Sequence, residues 1–107
     1  MIVVLCTVPA DGEHATRIAR GLVEARLAAC VNAIGPVRST YSWQGQVEEA
    51  SELQLVIKTT AARYEALERW LREHHPYAEP EIIALPIARG SASYLAWLAA
   101  ATEPALD

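Results

Sequence analysis

One thiol and two imidazoles carry the chemistry open to this chain: Cys6, His74 and His75. The histidines begin the run His74-His75-Pro76-Tyr77-Ala78-Glu79-Pro80-Glu81, which packs prolines, carboxylates and a phenol between a helical pattern and an apolar strand. Thiolate with imidazole is a donor set for Cu(I) or Zn(II), and for copper most when the thiolate dominates. Each residue also has a structural use. A cysteine between Leu5 and Thr7 serves as a small core residue. An imidazolium at a helix C-terminus is favoured by the dipole, so His74 can act as a cap. Adjacent helical residues point about 100° apart, so His74 and His75 share one ion only if the backbone unwinds at Pro76 or a second subunit supplies a ligand. His75, less explained by packing, is the better ligand candidate of the two. His14, in a first helical turn, reads as exposed.

The elements that must position these groups follow from patterning. Ile2–Val8 is a continuous apolar, β-branched run, read as a central strand that Pro9 ends. Asp11 reads as an N-cap, and Ala15, Ile18, Ala19, Leu22 and Val23 fall at helical spacing to about Arg26. Ala29–Ile34 is a second strand, interrupted at Gly35-Pro36 and resumed over Val37–Trp43. A turn at Gln44-Gly45-Gln46 leads into a third strand, Val47–Thr59, so the two make a long, overhanging hairpin. Thr59 or Thr60 caps a helix with the stripe Tyr64, Leu67, Trp70, Leu71 and His74, which stops where Pro76 biases His75 away from helical angles. Glu81–Ala88 is a fourth strand, with Pro86 placing it near an edge. A last helix carries Tyr94, Leu95, Trp97 and Leu98.

The order β-α-β-β-α-β predicts an α+β, ferredoxin-like plait over residues 1–107, one domain, with an antiparallel sheet in order 4-1-3-2 and an extra C-terminal helix. Strand 1 and helix 2 run the same way in that topology. Cys6, His74, His75, the start of helix 1 and the Trp43–Gly45 tip therefore meet at one end. Trp43, Tyr77 and Glu81 are candidates for a cleft there or for subunit contacts. Lys58, in an otherwise apolar strand, wants a carboxylate, with Glu52 or Glu81 as partner, and is the fourth cleft candidate.

With 107 residues and a net charge of −4, the chain has one core and no basic face, which argues against nucleic-acid binding. No apolar run is long enough to span a bilayer. Two cysteines make no disulfide framework, so reduced thiols in a cytoplasmic protein are expected. Phosphate loops, GxSxG elbows and HExxH helices are missing, so nothing in the sequence argues for an enzyme.

Ala28-Ala29-Cys30-Val31-Asn32, Ser39-Thr40-Tyr41-Ser42-Trp43-Gln44-Gly45, Glu52, Lys58-Thr59, His75-Pro76-Tyr77, Pro80-Glu81-Ile82-Ile83 and Tyr94-Leu95-Ala96-Trp97-Leu98 together closely resemble the CutA family of divalent-cation tolerance proteins. The resemblance implies the same plait assembled as a homotrimer through its sheets, with hairpins reaching to neighbours. It implies tolerance to copper and other divalent cations. It also implies a copper site on a cysteine and two histidines that fall here on Cys6, His74 and His75. PII signalling proteins have a similar trimeric plait, but their nucleotide-binding loop pattern is absent. Three functions stay open: a trimeric copper-binding protein, a small-molecule sensor with a cleft between subunits, and a structural or partner-binding trimer.

Overall fold

The computed structural model describes residues 1–105; the last two positions of the expected domain lie outside the described residues. β1 (Ile2–Pro9) alternates fully buried Val4, Cys6 and Val8 with half-buried Val3, Leu5 and Thr7. It lies inside the sheet, antiparallel to β3 (Gln46–Thr59) on one side and to β4 (Ile83–Pro86) on the other. β2 (Cys30–Trp43) completes the order β2-β3-β1-β4, which is the expected arrangement read from the opposite edge. The helices α1 (Glu13–Glu24) and α2 (Tyr64–His74) complete the βαββαβ plait, and α3 (Ala92–Ala101) follows β4.

The core lies between one sheet face and α1 and α2. Ile18 and Leu22 from α1 and Leu67 and Leu71 from α2 are fully buried against Val4, Cys6, Val8, Leu55 and Ile57. Each large aliphatic side chain so buried contributes about 1.5–3 kcal/mol. The helices approach closely because Gly21 has no side chain: a Cβ there would stand 2.5 Å from the Trp70 ring. The N-cap position of α1 is Gly12, at a left-handed φ of 77°, and the expected Asp11 stands one residue earlier, where its Oδ1 still accepts from the Glu13 and His14 amides at 3.0 and 3.1 Å. The helix stops at Glu24, short of Arg26, which takes a left-handed φ of 60° and donates to the carbonyls of Ala100 and Glu103 near the end of α3.

The long hairpin is present. β2 and β3 pair as far as Trp43 and Gln46, whereas β1 pairs with β3 only from Glu52 to Thr59. The segment Gln46–Ser51 and its partners therefore overhang by roughly 20 Å at the usual rise per strand residue. The turn is tighter than expected: Gln44 and Gly45 alone make it, both at positive φ, which matches the twist of paired strands. Gly35-Pro36 marks the expected bulge, with the register shifting between Ile34 and Val37, but the strand continues through it rather than ending and resuming.

β4 is shorter than the expected Glu81–Ala88. Pro80 is buried in the preceding corner and Glu81 turns to Gln54, so the ladder begins only at Ile83. Pro86 closes this edge strand, where its missing N–H removes no ladder bond that the fold needs.

The other sheet face is uncovered. Strand register puts Val3, Leu5, Val56, Ile34, Ile83 and Leu85 on it, and the last three are 54%, 49% and 49% exposed. Tyr94 and Trp97 of α3 are exposed as well. Among the described residues no helix is long and apolar enough to cross a membrane.

Candidate functional site

Topology brings the predicted end together. The His75 Nε2 donates to the Thr7 carbonyl at 2.8 Å, and Arg17 of α1 donates to the His74 carbonyl at 3.2 Å. The end of β1, the start of α1 and the end of α2 are thus tied, with Cys6 next to Thr7.

Each candidate ligand has other commitments. Cys6 belongs to the core and has no exposed surface. Burial, then the charges of Glu81 and Glu52, push its thiol up to about 12. At neutral pH it is a thiol, not the thiolate that binds metal. His75 is extended, as Pro76 requires, and only 8% exposed. Its Nδ1 accepts from the Tyr77 amide at 3.1 Å, which leaves the proton on Nε2 for the Thr7 carbonyl. Both ring nitrogens are therefore used. Burial lowers its pKa, more than the Thr7 hydrogen bond raises it, so the imidazole is held neutral. His74 leaves the apolar stripe and is exposed. Its ring stacks on Trp70 with centroids 3.8 Å apart, and Nδ1 donates to the Trp70 carbonyl at 2.8 Å. Only its Nε2 is open.

The three side chains share one end of the domain without forming a ready coordination set. Their donor types suit copper, but the thiol is buried in the core and His75 has no free nitrogen. Among the described residues no group of three or more His, Cys, Asp or Glu is placed to hold a metal ion. His14 is half-buried rather than exposed, and its Nδ1 meets Asp11 Oδ2 at 2.6 Å.

Beside this corner an open cleft of about 800 Å3 runs between the hairpin and the loop after α2. Trp43, Tyr77 and Glu81 line it, with Glu52 and Gln54. Glu52 is 5% exposed, and its Oε2 accepts from the Tyr77 hydroxyl at 2.7 Å. Burial first, then this carboxylate, raise the Tyr77 phenol well above its usual range. Gln54 Nε2 donates to Glu81 at 3.2 Å.

Lys58 lies elsewhere. The register pairs it with Val3 and Cys30, six residues along β3 from Glu52, roughly 20 Å away at the usual strand rise. It donates to Asn32 Oδ1 and stands 3.8 Å from Cys30 Sγ, so a neutral amide across the ladder replaces the expected carboxylate. The sequence offers Glu52 as a partner for Lys58 and as one residue of the family resemblance, and does not mark its place in the cleft. One signal was available: Glu52 and Gln54 are polar at strand period, on the face opposite Leu53 and Leu55.

Comparison with known proteins agrees with this fold. The family model described as CutA1 divalent ion tolerance protein matches residues 2–101. A divalent-cation tolerance protein CutA from Thermus thermophilus is 52% identical over 96 residues, covering 90% of this chain and 92% of that protein. A solved structure of a divalent cation tolerance protein, also from Thermus thermophilus, superposes with a TM-score of 0.91 at 50% identity, covering 96% of this chain and 100% of that one. The structure of a CutA described as a periplasmic divalent cation tolerance protein, from Archaeoglobus fulgidus, gives a TM-score of 0.91 at 36% identity, covering 96% of this chain and 100% of that one. These relatives are named as tolerance proteins, not as enzymes. The chain belongs to the CutA1 divalent ion tolerance protein family.

Proposed function

We propose that this protein acts in divalent-cation tolerance by binding copper, and other divalent cations more weakly, through Cys6, His74 and His75. The observation that carries this reading is the hydrogen bond from His75 to the Thr7 carbonyl, which seats an imidazole against the peptide next to the Cys6 thiol. Binding then requires the end of α2 to open. Breaking the two His75 hydrogen bonds costs about 2 kcal/mol at the usual net value per bond, so the opening weakens apparent affinity about 30-fold. Copper titration of the wild type, Cys6→Ser and His75→Ala tests the assignment. Equal affinity and stoichiometry in Cys6→Ser removes Cys6 from the role.

The working form is a homotrimer in the cytoplasm. The uncovered apolar sheet face supports assembly, because a contiguous patch of that kind is characteristic of an interface. The free thiols Cys6 and Cys30 support a reducing compartment. Native mass spectrometry and cell fractionation test these two statements, and a monomeric or periplasmic protein contradicts them.

A second reading, a small-molecule sensor that uses the cleft, is favoured by the buried carboxylate of Glu52 at its wall. A thermal-shift screen of metabolites and metals separates the two. Stabilisation by a metabolite without a response to copper selects the sensor.

A further inference from the structure

Among the described residues, one side-chain hydrogen bond joins the two helices that cover the core. It runs from Arg17 of α1 to the carbonyl of His74, the last residue of α2, at 3.2 Å. A local alternative stands nearer. Glu13 lies four residues before Arg17 on α1, the favoured orientation for a pair along a helix, yet the two form no ion pair. Arg20 and Arg72, by contrast, pair with Glu24 and Glu68 on their own helices. Arg17 instead crosses to a helix C-terminus, where the last carbonyls lack intrahelical partners and the dipole favours a cation.

That bond fastens the part of α2 that is otherwise held least. Trp70 lies against Gly21 of α1, and Leu71 is fully buried in the core. Beyond this anchor, two contacts tie the end of the helix to the rest of the protein: Arg17 on the His74 carbonyl and His75 on the Thr7 carbonyl. Cys6 adjoins Thr7 and has no exposed surface, so its sulfur is reached only when this end of the domain opens. The latch lies on the helical side of the sheet, opposite the uncovered apolar face, and assembly through that face leaves it free.

We propose that Arg17 is the latch on the end of α2, a positioning residue whose hydrogen bond sets how often the last turn lifts and so how readily copper reaches Cys6. The proposal rests on the copper reading above and names the residue that regulates entry to that site.

Cys30→Ser leaves Cys6 as the only thiol, and in that parent protein its alkylation by iodoacetamide, at fixed pH, reads the opening without any metal. Arg17→Met keeps the stem and removes the donor, so it should speed alkylation about two- to tenfold, the equivalent of one net hydrogen bond. At low urea the rate should stay flat in both proteins, as for local opening, rather than climb as global unfolding does. Arg20→Met loses only a pair within α1 and should leave the rate unchanged. Copper affinity should rise in Arg17→Met by the same factor as the alkylation rate. Equal alkylation rates in the parent and Arg17→Met overturn the latch and leave the copper reading standing, as does an increase that Arg20→Met reproduces or that follows global stability in urea. Faster alkylation without a gain in copper affinity keeps the latch and overturns Cys6 as a copper ligand.

Discussion

Replacing His75 with alanine should destabilise the protein by about 3 kcal/mol, and the sum can be worked from its contacts. The ring donates to the Thr7 carbonyl and accepts from the Tyr77 amide, at 2.8 and 3.1 Å. Leaving a buried donor or acceptor without its partner costs about 1–3 kcal/mol, and the lower end is taken here because His75 is not fully buried. Loss of ring contact with Tyr77, whose centroid is 4.8 Å away, adds the remainder at about 0.5–1 kcal/mol for an aromatic pair. Two near-isosteres split the effect. His75→Gln places an amide nitrogen near the Nε2 position and can restore the bond to Thr7. His75→Asn places an oxygen near Nδ1 and can restore the bond to Tyr77. Each should recover about 1 kcal/mol relative to alanine. Urea unfolding followed by tryptophan fluorescence, at one fixed protein concentration, reads all four proteins. The same residue sets a pH response. Its folded pKa lies below the ordinary value of 6.5, so between the two values the unfolded chain binds more protons than the folded one. The stability due to neutral His75 is therefore complete above pH 6.5 and declines as the pH falls through 6.5 towards the folded value. In His75→Gln that part of the decline should vanish. A His75→Ala protein within about 0.5 kcal/mol of wild type, the usual range for surface changes, would refute the structural role assigned to this ring.

Gly21→Ala drives a methyl into Trp70 and should cost about 1–3 kcal/mol, the usual range for overpacking; a shift in tryptophan emission should accompany it, because Trp70 also carries the His74 ring. Tyr77→Phe strips buried Glu52 of its donor, and loss of a hydrogen bond to a charged group should lower stability by about 2 kcal/mol; in the Glu52→Gln background the same change should cost less, which thermal melts of the double-mutant cycle will show. Leu85→Glu puts a charge on the uncovered face, well away from the core, and should give a folded protein of lower mass by native mass spectrometry; an unchanged oligomer places the interface elsewhere.

Much of the architecture was written in local chemistry. Pro76 ending α2 at His74, the Asp11 carboxylate on the first amides of α1, and the two-residue turn at Gln44 and Gly45 are each decided by a residue and its immediate neighbours. The sheet order followed from element order alone. The candidate site was less readable because its state depends on register and long-range contact. Ile2–Val8 is apolar apart from Thr7, so no sustained alternation reveals that Cys6 faces the helices; its partner Leu55 decides that. His75 reads as available in the sequence because both of its hydrogen bonds run to main-chain atoms, the Thr7 carbonyl in β1 and the Tyr77 amide in the loop, which side-chain identity does not mark. Lys58 was matched to a carboxylate by charge, but the β2–β3 register sets it beside Asn32 and far from Glu52. Glu52 itself becomes significant only when the loop carrying Tyr77 folds over it.

The metal reading comes down to whether the Cys6 sulfur enters the coordination sphere. X-ray absorption at the copper edge, on the loaded wild-type protein and on Cys6→Ser, measures this directly. A sulfur scatterer with imidazole neighbours in the wild type, lost in Cys6→Ser, is the expected result. Copper with only nitrogen and oxygen neighbours in the wild type, unchanged by the substitution, would contradict it and leave Cys6 as a core residue.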